Sequence, residues 1–367
     1  MTLILDNSEI AELLPMPDCL ARLNEAYQEL GERRATNRPR SDIYGPTHEN
    51  GRYIFKTMDG IVPKYEVAAI RLNSDVISWN SSAAGVVKEK QPTAPGNKWV
   101  GLVLLFSTRT GEPLAIVPDG VMQRLRVACT NALGVRYMTP ENAGVYALLG
   151  SGWQASGQAI AVALVRRLRE VRIYSPTRAN RERLATELRQ VLGIDVIPAD
   201  DPQTAVSGAD IVGAATNSIT PVIELDWLAS HAHVTCVKEL ELGEGILDRS
   251  QLVVVHTRLD RPANYVVGEG EHAIYAHDPM EGIGAAARQA RSTRTLSKID
   301  LTKQPDLAQL VTGKVKLPPA GSMTCFVNTI GLGIQFAALG ALAYERAKAR
   351  GIGREIPTDW LLESVHP

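Results

Sequence analysis

A short apolar run, residues 146–149, is followed by small residues at a spacing that suits phosphate binding. Gly150 and Gly152 allow a sharp turn and a close approach of backbone to a ligand, and Ala155 lets a helix pack on the strand. The alanine-rich segment that follows predicts this helix, whose free N–H groups would face a pyrophosphate. An ordinary glycine-rich turn is the alternative. The predicted dinucleotide-binding turn comprises Gly150, Ser151, Gly152, Trp153, Gln154 and Ala155.

The end of the next predicted strand, 171–174, indicates which dinucleotide is bound. Sites for NAD usually have Asp or Glu there to hold the ribose 2′-hydroxyl. Here residues 174–178 read Y-S-P-T-R, without an acid. Ser175 and Thr177 could donate to a 2′-phosphate, and Arg178 could neutralise it. We therefore expect NADP(H) to be preferred, with NAD(H) possible.

Polar residues follow two later predicted strands, 210–214 and 233–237. The carboxyl ends of parallel strands face the ligand crevice, so these residues could hydrogen-bond the ribose or the amide of the cofactor. A polar turn that caps a helix is the alternative. The remaining candidates for the cofactor site are Thr216, Asn217, Ser218, Val237, Lys238 and Asn328.

Three arginines could bind a substrate carboxylate, because a guanidinium matches a carboxylate bidentately. Arg40 follows Pro39, whose fixed φ orients the loop. Arg71 interrupts an apolar strand, and Arg126 lies on a largely apolar helix, where a charge needs a partner. The alternatives are a solvated side chain for Arg40, the solvent side of the sheet for Arg71 and a structural salt bridge for Arg126.

Proton transfer needs another group, because arginine stays protonated near neutral pH. Strand alternation should send neighbouring candidates to opposite faces, so we do not expect all of them in one site. A solvated charge is the alternative for each. The candidates are Lys98, Lys238, Glu239 and Glu241. A structural role is expected for the histidines at strand edges, which are His231, His233 and His256.

The 367 residues predict two domains. A net charge of −1 gives no general attraction to nucleic acid or to an anionic membrane. The four cysteines lack C-x-x-C spacing, the start of the chain has no basic leader, and no apolar run reaches the ~18 residues of a membrane span. These features predict a cytoplasmic protein with reduced thiols. Because the seven histidines show no metal-binding pair, we expect no metal.

The order of predicted elements divides the chain. An amphipathic helical pattern over 8–31 precedes mainly antiparallel strands, which include a hairpin at 100–117, and residues 78–98 are expected to form a long irregular loop. A helix at 122–137 leads to alternating strands and helices, further helical stretches are predicted near 281–291 and 305–312, and a long helix is predicted over 326–351. This is an α/β fold, a Rossmann-type doubly wound parallel sheet plus an α+β substrate and dimerisation domain. The predicted boundaries are 1–122 with 323–367 for the substrate domain and 123–322 for the nucleotide domain.

The order of these features resembles the ornithine cyclodeaminase/mu-crystallin family over nearly the whole chain. The most specific pieces are the turn at 150–155 and the Asp119-Gly120 turn that leads to Arg126. The resemblance implies a homodimer that binds a nicotinamide dinucleotide and acts at a carbon–nitrogen bond next to a carboxylate. We expect the dimer interface to use the β domain and the 326–351 helix, with apolar surface supplied by Val103, Leu105 and Ile116.

Individual positions of the family pattern are retained or changed in this chain. Arg40 and Arg126 match the family arginines that bind the substrate carboxylate. Arg71 stands where the family usually has a strand lysine. Leu240 stands where cyclodeaminases have an aspartate, although Glu239 or Glu241 could replace that aspartate if the loop shifts by one residue.

The resemblance and these changes favour net redox chemistry. We expect an NAD(P)-dependent oxidoreductase that reduces an imine or ketimine to a small amino acid or N-substituted amino acid, or oxidises the product. The predicted catalytic residues are Arg40, Arg71, Arg126, Lys98 and Glu239. One alternative is an ornithine or lysine cyclodeaminase that releases ammonia. Another is a non-catalytic NADP-bound binding protein.

Overall fold

A computed structural model of the chain describes residues 1–38, 40–47, 51–82, 85–218, 220–258 and 297–364. These residues form two compact units. The first holds residues 1–126 and 331–364, and the second holds 127–258 and 297–330. The division falls within one helix, between Arg126 and Val127, and again at 330/331. The sequence predicts boundaries at 122/123 and 322/323. In the structure, the segment 323–330 belongs to the second unit rather than to the first.

The first unit is built on one sheet, to which nine strands of the described residues contribute, in the order β16-β1-β8-β7-β5-β4-β2 with β3 beside β4 and β6 beside β5. All pairs are antiparallel except β1 with β8. The strands are β1 Thr2–Ile4, β2 Thr36–Asn37, β3 Ser41–Pro46, β4 Gly51–Val62, β5 Val67–Ser82, β6 Gly85–Gln91, β7 Val100–Ser107, β8 Pro113–Pro118 and β16 Arg354–Ile356. Its helices are α1 Asn7–Leu13, α2 Met16–Gly31, the first turns of α3 Gly120–Met138, and α9 Gly333–Arg350, with single 3₁₀ turns at Pro63–Tyr65 and Thr358–Leu361.

Helix α9 covers one face of this sheet, chiefly β4 and β5. Gly60 and Gly333 have no side chains to separate the strand from the helix, and a β-carbon at either position would overlap backbone of the other element. Along β5 the buried face carries alternate residues from Val67 to Ile77. A sheet with one covered face needs this alternation.

Three details differ from the sequence-based predictions for this unit. The helical pattern over 8–31 is broken into α1 and α2, because Pro15 cannot continue a helix and restricts the residue before it. Residues 78–98 are not an irregular loop throughout, since β5 extends to Ser82 and pairs with β6. Val103 and Leu105 face α9 and are fully buried within the protomer, so they are not available to a dimer interface. Strand alternation leaves Leu102, Leu104 and Ile116 on the other, partly exposed face.

The second unit is a parallel sheet to which seven strands of the described residues contribute, in the order β11-β10-β9-β12-β13-β15-β14. They are β9 Val145–Leu149, β10 Glu170–Tyr174, β11 Asp195–Pro198, β12 Ile211–Ala214, β13 His233–Cys236, β14 Leu252–Val255 and β15 Thr324–Val327. The helices are the rest of α3, α4 Trp153–Ala163, α5 Arg178–Leu192, α6 Pro202–Val206, α7 Ile246–Arg249 and α8 Leu307–Val311, with 3₁₀ turns at Leu225–Trp227, Glu239–Glu241 and Leu301–Lys303.

This unit confirms the predicted doubly wound sheet. Alternate residues of β9 enter two apolar clusters, one on each face, as a sheet covered on both sides requires. Phe326 lies in β15 rather than at the start of the long helix, which begins only at Gly333, and its ring packs on Gly134 of α3. The helix predicted near 305–312 is α8, whereas the one predicted near 281–291 lies outside the described residues.

Candidate functional site

The glycine turn lies where the strand order of the parallel sheet reverses, between β9 and β12. Ligands of open α/β sheets bind at such a point, beyond the carboxyl ends of the strands. Gly150 has φ +122°, and a β-carbon there would collide with the carbonyl oxygen of Ala215, so the turn requires glycine. At Gly152 nothing lies within 4 Å of an added β-carbon. The open side of the turn is therefore accessible to a ligand.

Helix α4 begins directly after this turn. Its N-cap, Gly152, provides no side-chain cap, so the first N–H groups of the helix remain available for an anion. Ala155 is fully buried, whereas Trp153 is 56% exposed. The Oε1 atom of Gln154 is buried without a hydrogen-bond partner among the described residues. Such an atom is costly unless a ligand or water satisfies it, so the turn and its orphaned acceptor fit a bound dinucleotide.

The end of β10 is held by hydroxyl contacts. Ser151 Oγ donates to Ser175 Oγ at 2.8 Å, and Ser175 Oγ contacts the Thr177 carbonyl at 3.4 Å. Arg178 is exposed and its Nε donates to Glu182 Oε1 at 2.7 Å. Arg181, which the sequence analysis did not single out, is buried and donates to the Ser175 carbonyl at 3.1 Å. The end of the strand thus carries one exposed and one buried guanidinium.

Glu241 joins the loops that follow β12 and β13. Its Oε1 accepts from both the N–H and the hydroxyl of Thr216 at 2.7 Å, and its Oε2 accepts the N–H groups of Val237 and Lys238 at 3.0 Å. The carboxylate is fully buried. Lys238 Nζ donates to the Ser218 carbonyl at 2.8 Å, and burial lowers the pKa of this lysine. The Glu241 carboxylate thus accepts four hydrogen bonds, and these bonds hold the loops after β12 and β13 together at the edge of the sheet.

The other candidates of this unit lie around the same edge. Asn217 is exposed between Thr216 and Ser218. Asn328 follows β15, is buried and donates from Nδ2 to the Val127 carbonyl at 3.2 Å. Glu239 and Leu240 are half-buried in the 3₁₀ turn after β13.

In the first unit, polar side chains interrupt the buried sheet face. Arg71, Asn73 and Asp75 alternate along β5 on the side where Val67 and Ile77 pack inward. Arg71 Nε donates to Asp119 Oδ2 at 2.6 Å, and Asn73 Nδ2 reaches the same oxygen at 3.4 Å. Arg71 therefore faces the interior side of the sheet rather than solvent, and it is already paired with a carboxylate.

Arg126 shares this interior with Arg71 but has a different set of partners. It is 6% exposed and bonds to amide oxygens only, Gln123 Oε1 at 2.8 and 3.1 Å and Gln335 Oε1 at 3.4 Å. Among the described residues no carboxylate lies within ion-pair distance of it. Burial, together with the nearby Arg71 charge, lowers the pKa of Arg126 to about 9. Both guanidinium carbons lie near the centroid of the Phe336 ring, at 5.6 and 5.7 Å. A buried guanidinium without a directly bonded carboxylate can bind an anionic ligand.

Arg40 and two lysines are further cations of the first unit, and each is paired with a carboxylate. Arg40 forms a bidentate pair with the buried Asp42; Pro39 lies outside the described residues. Lys56 and Lys90 both contact Asp75, at 2.9 Å and 3.0 Å. Lys56 was not among the predicted site residues, although its strand parity with Ile54 and Met58 marks it as a charge on a buried face.

Several candidates lie apart from these groups. Lys98 is exposed in the turn that precedes β7, where its N–H reaches the Ala94 carbonyl. His233 is buried against Thr324, and His231 contacts Asp210 at 3.3 Å. Among the described residues no group of three or more His, Cys, Asp or Glu side chains could hold a metal ion, and the described helices include none long and apolar enough to cross a membrane.

Comparisons with known proteins agree with this fold. The model of the ornithine cyclodeaminase/mu-crystallin family matches residues 2–351. A putative dehydrogenase of Rhizobium meliloti is 28% identical over 357 residues, 95% of this chain and 97% of that protein. An uncharacterised cyclodeaminase of Sinorhizobium fredii is 28% identical over 69% of this chain and 72% of its own length. The Delta(1)-pyrroline-2-carboxylate reductase of Thermococcus litoralis, solved with NADH and L-proline, has a TM-score of 0.74 at 22% identity and covers 97% of this chain and 100% of its own.

Proposed function

The chain belongs to the ornithine cyclodeaminase/mu-crystallin family, and from that premise we propose that it is an NAD(P)-dependent reductase of imines that carry a carboxylate. The substrate would be an imine or ketimine of a 2-oxo acid, and the product a small amino acid or N-substituted amino acid. The relatives that resemble it include both a putative dehydrogenase and a cyclodeaminase, so the type of reaction has to be argued from this chain's own residues.

The state of Arg126 is the observation that carries the proposal. A guanidinium that is buried, bonded only to amides and reduced in pKa gains most from an anionic ligand. Arg71 and Arg40 are each paired with a carboxylate of the protein, so they would add positive charge near Arg126 without being the main contact for the substrate. A carboxylate bound by Arg126 would fix the adjacent carbon–nitrogen bond in one orientation.

The cofactor proposal rests on the turn at Gly150. The pyrophosphate would lie at the start of α4, with the orphaned Gln154 Oε1 facing the bound dinucleotide. NAD(P)H, when bound, would supply the hydride that the imine carbon accepts. We infer a preference for NADP(H) because Ser175, Thr177 and Arg178 offer donors and a positive charge where NAD sites have an acid.

The contacts of Glu241 favour reduction over ring closure. A cyclodeaminase needs a group that takes a proton from the attacking side-chain amine. Leu240 cannot do this, and Glu241 is buried and already accepts four hydrogen bonds. Glu239 remains the acidic alternative at this place. Cyclodeamination of ornithine or lysine is therefore the second candidate function.

We also infer a homodimer, formed through the uncovered face of the first unit's sheet. Leu102, Leu104 and Ile116 lie on this face, and Ile61 is 41% exposed on it. Apolar side chains grouped on one sheet face are typical of a protein–protein interface.

The test is turnover with a panel of substrates. The enzyme is incubated with NADPH or NADH and either 2-oxo acids plus amines or preformed cyclic imino acids, while absorbance at about 340 nm is followed. We expect stoichiometric loss of reduced nicotinamide. Ammonia release from ornithine or lysine, with catalytic dinucleotide and no net absorbance change, would instead identify a cyclodeaminase. Tight dinucleotide binding without turnover on any substrate would favour a binding protein.

A further inference from the structure

Imine reduction needs a proton at nitrogen as well as a hydride at carbon, and the strand arginine is unsuited to supply it. Arginine side chains are poor proton donors, and Arg71 is held by Asp119 at 2.6 Å. The proton for the proposed reaction must therefore come from another group.

Lys56 lies on the same buried face of the sheet as Arg71, one residue pair further along β4 and β5 on that face. In the register of β4 and β5, Lys56 is paired with Asn73, and Met58 is paired with Arg71. Directly paired residues have β-carbons about 5 Å apart on the same side of a sheet. Asn73 touches the carboxylate oxygen of Asp119 that Arg71 also touches. Lys56 is thus next to the Arg71–Asp119 pair, with a side chain only 12% exposed.

A buried carboxylate connects Lys56 to a more exposed amine. Asp75 has a fully buried side chain, and it contacts Lys56 Nζ at 2.9 Å and Lys90 Nζ at 3.0 Å. Lys90 lies on β6 and its side chain is 43% exposed. The three groups form a continuous hydrogen-bonded path from solvent to the interior, which could return a proton to Lys56 after each turnover.

The charges around Lys56 make it easier to deprotonate than an ordinary lysine. Burial is the main cause of its lowered pKa; Asp75 on β5 opposes this effect, and Lys90 on β6 and Arg40 before β3 add to it. Asp42, its register partner on β3, is itself paired with Arg40. A lysine whose pKa moves toward the working pH is a better acid than a solvated one.

We propose that Lys56 is the general acid of this reaction, a role that rests on the proposed function. The lone pair of the imine nitrogen takes a proton from the Lys56 ammonium, which becomes a neutral amine. The imine carbon would accept the hydride that bound NAD(P)H supplies, and the electron pair of the carbon–nitrogen π bond would become the lone pair of the product amine. Lys56 then regains a proton from water along Asp75 and Lys90. In the oxidative direction the neutral Lys56 accepts the proton.

A purely structural ion pair would behave differently under substitution. In that case Lys56 would only join β4 to β5, and Lys56→Arg would preserve both the charge and the hydrogen bond to Asp75. An arginine cannot exchange the proton. The arginine variant therefore separates the two roles, and Lys56→Met removes both.

The experiment compares these variants with the unsubstituted enzyme over a range of pH, using whichever imine the wild type reduces. We expect Lys56→Arg to lower kcat at least a hundredfold, within the range of about 10²–10⁴ for general acid catalysis, while KM changes little. The fall of the wild-type reduction rate at high pH, where Lys56 loses its proton, should be absent from this variant. Lys90→Met removes the outer group of the proton path and a charge that lowers the pKa of Lys56, so kcat should fall and its decline at high pH should move to higher pH. Lys64→Met, which breaks a comparable pair with Glu25 on the surface, is the matched control and should change neither parameter.

The outcomes are distinguishable. A wild type that turns over imines together with a Lys56→Arg variant within threefold of its kcat overturns the role of Lys56 and leaves the proposed function intact. A wild type that reduces no imine overturns the proposed function and the role of Lys56 together.

Discussion

The backbone of Gly331 lies directly against the guanidinium of Arg126. A β-carbon built at position 331 would be 2.7 Å from Nη1 and 2.9 Å from both Cζ and Nη2. Contacts under 3 Å force a displacement, and here the group that must move is the buried cation on which the substrate proposal depends. Glycine at 331 therefore sets the position of Arg126.

We predict that Gly331→Ala raises KM for the carboxylate substrate by about tenfold or more, since a lost charge-assisted hydrogen bond costs roughly 1.5–3 kcal/mol. Steady-state kinetics check this, with cofactor affinity as a second measurement that should not change. Gly45→Ala is the control, because nothing lies within 4 Å of a β-carbon there. Unchanged kinetics in Gly331→Ala would mean that Arg126 does not bind the substrate in the position observed.

Glu241→Gln should destabilise the protein and weaken dinucleotide binding. The amide replaces one acceptor oxygen by a donor, which leaves buried N–H groups of the Thr216 loop or of Val237 and Lys238 unpaired. The expected loss in the free energy of unfolding is roughly 3 kcal/mol. Chemical denaturation measures it, and the exposed Glu224→Gln is the control. A fully stable variant with reduced kcat would instead indicate that Glu241 is a catalytic base.

Arg178→Met should weaken NADPH binding about tenfold while leaving NADH binding nearly unchanged, because only NADPH presents a phosphate to neutralise. Fluorescence titrations with both cofactors measure the ratio. Arg183→Met is a close control, because Arg183 lies on the same helix and forms an equivalent exposed pair with the glutamate four residues after it, Glu187, at 2.7 Å. Tighter binding of NADH than NADPH by the unsubstituted protein would contradict the proposed preference.

His233 should make the fold sensitive to acid. Burial lowers the pKa of His233 to about 3, whereas an unfolded histidine titrates near 6.5. At acidic pH the unfolded chain therefore binds a proton that the folded chain does not bind. The contribution of neutral His233 to the free energy of unfolding is fully present above about pH 6.5, and it is lost as the pH decreases toward 3. Between pH 7 and 5 we expect a loss of roughly 2 kcal/mol.

Urea unfolding at these two pH values measures that loss. His233→Gln should unfold with a smaller difference between pH 7 and 5, although it is less stable at pH 7 where the bond to Thr324 is weakened. The exposed His231→Gln should keep the wild-type pH difference. Equal pH differences in the wild type and His233→Gln would show that His233 is protonated in the folded state.

Leu104→Lys should convert the inferred homodimer to a monomer, because it places a charge in the centre of the uncovered sheet face. Light scattering at micromolar concentration measures the mass. Val191→Lys introduces the same residue at a site that is 61% exposed on α5 of the other unit, and it should leave the mass unchanged. A Leu104→Lys variant that remains dimeric would place the interface elsewhere.

The sequence determined the elements whose signals are local. The strand, the glycine turn and the helix around Gly150 are defined by neighbouring residues, and so is the alternation of strands and helices in the second unit. The sequence also identified Arg71 and Arg126 as unusual, because a charge inside an apolar strand or helix stands out from its neighbours. The added strand β15 was missed because its last two residues were included in the helix predicted over 326–351, although Asn328, Gly331 and Gly333 interrupt the apolar pattern between the strand and the helix.

The tertiary structure decided which side chains meet, because partners come from distant parts of the chain. Arg71 and Asp119 are 48 positions apart, and Lys56 and Asp75 are 19 apart. Helix α9 decides which face of β7 is covered, because its Gly340 lies against Leu105. The residues of β7 are apolar on both faces, so no local pattern shows that Val103 rather than Leu104 is buried. The energy of a charge pair depends on how deeply the two groups are buried and on the distance between them. Both are set only when the strands are in register. The sequence alone thus named the arginines, and only the folded sheet placed Lys56, Asp75 and Lys90 beside them.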